Sequence, residues 1–158
     1  MNIFIRNYKV PGVWSENISY EMIGEEKEAR VYLDARKPGR YDLTLVSHHK
    51  VRETRGKVMV RAVVGADAKV KIRGLIKIER DAQHTTDYLD IKVLMLGDTA
   101  IAQVIPELEI DANEVVVSHG ASIGCIDKEQ IKYLMSKGIT RKESMSIIVS
   151  GFLASGVE

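Results

Sequence analysis

The chain has 158 residues, 45% of them hydrophobic and 28% charged, which is the composition of about one ordinary globular domain and not of a disordered or fibrous segment. Twenty-three Lys and Arg face 22 Asp and Glu, so no general excess of positive charge marks a polyanion binder. Cys125 is the only cysteine, which excludes an intramolecular disulfide framework and any multi-cysteine zinc or iron–sulfur site built by this chain alone. No apolar run reaches the ~18 residues of a membrane span, and Met1–Lys9 alternates without a signal-peptide core. A soluble, cytoplasmic protein with no membrane contact is expected.

In chain order the pattern gives strands first. Asn2 to Lys9 reads as a weak strand ended by Pro11-Gly12, and Arg30 to Asp34 as a short one ended by Lys37-Pro38-Gly39. The acidic stretch Glu21 to Glu28 between them reads as a solvated loop or edge. From Tyr41 the pattern becomes regular. β-branched runs are predicted at Leu43–Lys50, Val58–Gly65, Val70–Gly74, Leu75–Glu79, Leu89–Leu96, Leu108–Ile110 and Glu114–Val117.

Leu43-Thr44-Leu45, Ile76-Lys77-Ile78 and Leu108-Glu109-Ile110 recur at spacings of 33 and 32 residues, and Val63-Val64-Gly65 and Met95-Leu96-Gly97 at 32. Asp81-Ala82 and Asp111-Ala112 repeat at 30. A fixed period with an apolar-polar-apolar centre predicts stacked coils, a β-solenoid or parallel β-helix. The predicted organisation is an N-terminal β segment or cap over 1–40, a β-helix core over 41–120, and a C-terminal helical hairpin over 121–158.

The hairpin rests on two capping boxes, Asp127-Lys128-Glu129-Gln130 and Thr140-Arg141-Lys142-Glu143. Ile131, Leu134 and Met135 share a face of the first helix, which Gly138 stops. Met145, Ile147, Ile148 and Phe152 supply the apolar side of the second, with Gly151 near its end.

Few residues are placed for chemistry. No phosphate loop, nucleophile elbow or His-Glu-x-x-His pair occurs, and Ser118-His119-Gly120-Ala121-Ser122 is a neighbourhood in sequence rather than a triad. His48 and His49 face opposite sides of a strand, and the pair reads as a solvated strand end. His84 lies in a polar turn. His119 follows the apolar strand Val115–Val117; it is either hydrogen-bonded to backbone where sheet meets helix or free to bind iron or zinc. Cys125, just before the helix capped by Asp127, reads as an inert packing residue. Lys69, Lys71, Arg73, Lys77 and Arg80 alternate with apolar residues as the outer face of a sheet, and without interleaved aromatics they do not predict nucleic-acid binding.

Ser118-His119-Gly120-Ala121-Ser122-Ile123-Gly124 and the run Ile126–Ile139 resemble the SufB/SufD family, the scaffold proteins of the SUF iron–sulfur cluster assembly system. Gly151-Phe152-Leu153 continues the likeness, and Gly74–Ile78, Leu94–Asp98 and Ile105–Ile110 look like the family's β-helix coils in the same order. The resemblance implies a right-handed parallel β-helix followed by a small helical domain. It also implies a non-catalytic component that pairs through its β-helix, as a homo- or heterodimer, with itself or with a SufB-like scaffold. A SufC-like ABC ATPase would dock on the helical end, where Ile131, Tyr133, Leu134, Ile148 and Phe152 are the interface candidates.

By the same resemblance His119 is the candidate ligand of a transient iron–sulfur cluster shared with a partner; no intrinsic cofactor is implied. SufB-type scaffolds carry a cysteine two residues before this histidine, where this chain has Val117, so the likeness is to SufD. Cys125 is not at the family's cysteine position. Family members are also longer, so part of the ATPase-docking surface is expected to be missing, and a structural or regulatory module without cluster chemistry is the alternative.

Overall fold

Strands with strict alternation bury one face, and strands that are apolar throughout bury two. Both kinds occur in the computed structural model, which describes residues 2–155. Nine parallel strands wind through two sheets: β1 (Asn2–Tyr8), β2 (Gly12–Tyr20), β3 (Glu26–Ala35), β4 (Gly39–His49), β5 (Arg55–Val64), β6 (Ala68–Ile78), β7 (Thr86–Met95), β8 (Ile101–Ile110) and β9 (Val116–Cys125). Odd-numbered strands form one sheet in the order β1-β3-β5-β7-β9, and even-numbered strands the other, β2-β4-β6-β8. Each coil therefore gives one strand to each sheet, and about four coils stack into a β-solenoid. Two helices close the described chain, α1 (Lys128–Ser136) and α2 (Arg141–Ala154).

Inward-facing residues stack in columns from coil to coil. Tyr41, Leu43 and Leu45 of β4 pair in register with Val70, Ile72 and Gly74 of β6, and Val58, Val60 and Ala62 of β5 with Leu89, Ile91 and Val93 of β7. All are buried, and they form one continuous core between the sheets. Leu43 thus stacks on Ile72, 29 residues on, rather than on Ile76; the 32-residue step from Ile76 to Leu108 is a true register pair. Coil length varies because the corners differ, and this blurs the repeat in the sequence.

The corners are made by short-range geometry. Glu53, Asp67 and His84 adopt left-handed backbone at φ of 62°, 60° and 59°. Gly24 (φ 74°), Glu53 and His84 stand on one corner, where their N–H groups donate to Arg52, Gln83 and Glu114 carbonyls of the next coil. At the opposite corner a Cβ on Gly65 would lie 2.6 Å from the Arg36 carbonyl oxygen, and one on Gly97 the same distance from the Ala66 nitrogen. Backbone stacks directly on backbone there, and only glycine allows it.

Several boundaries differ from those predicted. The coils start at Asn2, so the segment before Tyr41 carries β1, β2 and β3 and belongs to the solenoid. The acidic stretch runs into β3, because Glu28 is buried with its carboxylate 2.7 Å from Arg30 Nε. Gly74 does not divide β6: it faces inward, where a Cβ would come 2.7 Å from Leu89 Cδ2, so a space-saving residue occupies a continuous strand. β9 extends to Cys125, well into the segment predicted as hairpin, and residues 156–158 of that segment lie outside the described residues. α2 passes through Gly151 to Ala154.

The hairpin caps form unequally. Thr140 and Glu143 make a complete capping box, whereas Asp127 accepts from the Glu129 N–H, one residue earlier than predicted. Gly138 in the left-handed region (φ 85°) ends α1. No helix among the described residues is long and apolar enough to cross a membrane.

α2 lies over the outer face of β5, and this is why that strand is buried on both faces from Val58 to Val64. The opposite sheet keeps a solvated outer face. Lys69, Lys71 and Arg73 are exposed on β6, with Arg73 Nε 2.5 Å from Glu107 and Lys77 Nζ 2.8 Å from Glu109 on β8.

The N-terminal end of the core closes with its own side chains. Tyr8 stacks on Trp14 with ring centroids 4.6 Å apart, its hydroxyl donates to Glu16, and Arg6 reaches the same carboxylate at 3.2 Å while lying over Phe4. Burial first, and the Glu16 carboxylate second, push the Tyr8 hydroxyl up to about 12 from 10.0. Burial also raises Tyr20 and Tyr41. A phenol whose folded-state value is raised disfavours ionisation in the fold, so its contribution to stability is intact below pH 10.0 and is lost as pH rises through about 12. Urea midpoints are expected to hold up to pH 10 and fall beyond it, and tyrosinate absorbance should show a late-titrating class. Replacing Ile72 by Ala at the centre of the core should cost about 2–5 kcal/mol by urea denaturation.

Candidate functional site

A strand places successive side chains on opposite faces, and this rule sorts the Ser-His-Gly-Ala segment of β9. Val117, His119, Ala121, Ile123 and Cys125 continue the inward columns of Asp87, Leu89, Ile91, Val93 and Met95 on β7. Ser118, Gly120, Ser122 and Gly124 fall on the outward face, where the Tyr88 hydroxyl sits over Gly120 so closely that a Cβ would meet it at 2.9 Å. His119 is therefore separated from both flanking serines by the sheet itself, and no Ser–His nucleophile assembles.

β9 and β8 are the last strands of their sheets, so these inward positions have no further coil over them. On β8 the inward column is Ala102, Val104, Pro106, Leu108 and Ile110, in register with Val70, Ile72, Gly74, Ile76 and Ile78. Leu108 is 40% exposed, Ile110 38% and Ile123 48%, although their column partners beneath are buried. His119 and Cys125 are exposed as well. The core is cut open at this end, with an imidazole on its inner face.

His119 is exposed within the open face and, among the described residues, not tied to backbone where sheet meets helix. Cys125 does not pack inertly: it ends the same face as an exposed free thiol. Among the described residues no three His, Cys, Asp or Glu side chains gather into a group able to hold a metal ion. His119 can offer one nitrogen, and any metal or cluster bound there takes its remaining ligands from elsewhere.

The other histidines divide differently. His48 points outward, with Nε2 2.7 Å from Glu79, and His84 is exposed. His49 corrects the solvated strand end predicted for it: the ring is fully buried and stacks on Tyr20 with centroids 3.9 Å apart. Its Nε2–H donates to Asp87 Oδ2 at 2.9 Å, Ser47 donates to the same oxygen at 2.6 Å, and Nδ1 pairs with the Thr54 hydroxyl at 2.7 Å. Thr54 continues to Thr85 at 3.0 Å, and Asp87 Oδ1 has no hydrogen-bond partner. Gly56 lies in register beside Asp87, where a Cβ would meet the carboxylate at 2.5 Å.

Ser47, His49 and Asp87 are a catalytic-looking set in an order that does no catalysis, because hydroxyl and imidazole both spend themselves on one carboxylate oxygen and the group is sealed from substrate. The sequence signal for this cluster was the polar residue at inward positions of otherwise apolar columns.

On the hairpin, Ile131 is 4% exposed and packs inside rather than presenting itself. Tyr133, 63% exposed, lines a groove of about 410 Å³ with Leu134, Ile148, Asp127, Glu129 and Gln130. Phe152 is half-buried further along α2.

Removing one member of the buried pair should be costly. His49→Leu leaves a buried carboxylate without its partner and is expected to cost about 3–5 kcal/mol in equilibrium denaturation. Adding Asp87→Asn should recover part of that loss, giving a non-additive double-mutant cycle; additivity would show that the two side chains do not act as a unit.

The chain matches the family model described as "SUF system FeS cluster assembly, SufBD core domain" over residues 13–152. It is 34% identical over 106 residues to the iron-sulfur cluster assembly protein SufD of Bacillus subtilis, covering 67% of this chain and 24% of that protein. It is 35% identical over 98 residues to SufD of Escherichia coli, covering 62% and 23%. An iron-sulfur cluster assembly SufBD family protein of Archaeoglobus fulgidus is 39% identical over 95 residues, covering 60% and 25%. The chain thus spans about a quarter of the length of these relatives. A solenoid of parallel coils ending in an open face with His119, followed by two helices, and matched over most of its length by the core model, makes this chain a member of the SufB/SufD family of SUF iron–sulfur cluster assembly.

Proposed function

We propose that the chain is a non-catalytic, cytoplasmic assembly component that pairs through the open end of its solenoid, with a second copy or a SufB-like subunit, and presents His119 at the junction. The observation that carries this is the bare inner face of β8 and β9. Leu108, Ile110 and Ile123 are core residues by register and surface residues by exposure. Covering the remaining exposed part of each, a little under half, is worth about 1 kcal/mol apiece, which favours pairing. Unpaired strand groups on both edges add a hydrogen-bonding template.

The cluster is cargo in this scheme. His119 supplies one ligand or an orienting hydrogen bond, and the partner supplies the sulfur. The exposed face of the hairpin, with Tyr133, Leu134 and Ile148 around one groove and Phe152 beyond it, takes the SufC-like ABC ATPase.

One observation favours a second reading. Val117 stands two residues before His119 on the same inner face, where a SufB-type scaffold would hold cysteine, so the open face has no thiolate beside its histidine. On that reading the chain keeps the pairing surface and has no cluster chemistry.

Light scattering on the purified chain, alone and with a SufB-like subunit, tests pairing. Leu108→Asp with Ile123→Asp is expected to give a folded monomer that no longer binds the subunit, and unchanged assembly in that variant rules out the open end as interface. Anaerobic reconstitution of the paired complex with iron and sulfide then separates the two readings. A charge-transfer band that weakens in His119→Ala supports the ligand role, and identical spectra with and without His119 leave the second reading.

A further inference from the structure

Burial explains every covered residue but one on the outer face of β5. Met59, Arg61 and Val63 share that face under the helical hairpin, and Met59 and Val63 are what a covered strand requires. Arg61 is 1% exposed and is the only lysine or arginine among the described residues that is buried. A leucine would satisfy the burial without the cost of desolvating a cation, so the guanidinium has another task.

Its contacts name that task. Nη2 donates to Asp90 Oδ2 on β7 at 2.6 Å, and Nη1 to the Val60 and Asp90 carbonyls at 3.0 and 3.4 Å. Nε donates to the Ser155 carbonyl at 3.2 Å and contacts its hydroxyl oxygen at 3.3 Å. Ser155 is the C-cap of α2, and its own N–H and hydroxyl both donate to the Phe152 carbonyl, at 3.1 and 2.6 Å. α2 carries no basic residue in its last turn. The positive charge that a helix C-terminus favours, and a donor for its free carbonyls, therefore arrive from the sheet.

We propose that Arg61 is the positioning residue of the helical hairpin. It caps α2 from the solenoid side, ties that cap to β7 through Asp90, and so fixes the angle at which Tyr133, Leu134 and Ile148 face outward. The last clause rests on the proposed docking role of the hairpin; the first two do not. The planar fork is needed because one arm holds the sheet carboxylate and the other the helix end, which an ammonium does not do at once.

Hydrogen exchange on the full chain tests this, comparing the native protein with Arg61→Met and with Arg61→Met/Asp90→Asn, the latter leaving no unpaired carboxylate. Amides over 149–155 should exchange about tenfold faster or more while those of β4 and β6 keep their protection. Arg61→Lys should fall between. Acceleration spread equally over β4 and β6, or none anywhere, overturns the proposal.

Binding to the SufC-like ATPase adds a second readout. Arg61→Met/Asp90→Asn should lose affinity by about tenfold while β4 and β6 keep their exchange protection, a split that local positioning produces and general destabilisation does not. A loosened helix with full affinity overturns the positioning of the docking face. If the native chain binds no such ATPase, the docking reading fails, and the exchange comparison still decides the role of Arg61.

Discussion

A solenoid coil cannot bury its own apolar columns; the next coil must do it. Everything distinctive about this chain follows from how that requirement is met at three places. In the middle, β4 on β6 and β5 on β7 cover each other with Leu, Val and Ile. At the N-terminal end the columns finish in Phe4, Arg6, Tyr8, Trp14 and Glu16, which stack and ion-pair with one another. At the C-terminal end they finish in Leu108, Ile110 and Ile123, which cannot satisfy one another across the open face. The two ends of one repeating structure therefore differ in chemistry, aromatic and charged at the first and aliphatic at the second.

The sequence carried the coil as a unit more clearly than its boundaries. β-branched runs of similar spacing were visible because Val, Ile and Leu recur at inward positions. The true step was hidden because corners of different length shift it from 29 residues at Leu43–Ile72 to 32 at Ile76–Leu108. Gly74 read as a break because a glycine saving room for Leu89 looks, in one dimension, like a glycine making a turn. Glu28 read as solvent-facing because its partner Arg30 is legible only once both lie on one strand face. The helices fared better: their caps are local, and Gly138 stops α1 whatever the rest of the chain does.

The site residues show the same division. His119 was legible as a residue on its own after an apolar strand, but that it belongs to an inner column became visible only with the register Leu89 to His119. His49 went the other way. Two adjacent histidines at a strand end resemble solvated residues, and nothing local announces that Ser47, Thr54, Thr85 and Asp87, up to 38 residues distant, converge around one of them. Polar residues at inward positions are tolerated there because they satisfy each other, with Asp87 Oδ1 the single exception.

Which sheet receives the hairpin was also written in the chain, as a contrast between two neighbouring strands. β6 alternates, and its outward Lys69, Lys71, Arg73 and Lys77 stay in water or pair with β8 carboxylates. β5 does not alternate: Val58 to Val64 is apolar on both faces but for Arg61, a pattern that requires a second cover. α2 supplies it on one side only. The hairpin is thereby carried on the face of the odd-numbered sheet while the open columns look along the stacking direction, beyond β8 and β9. A partner at the end and a partner on the helices, as proposed above, would therefore approach from different directions.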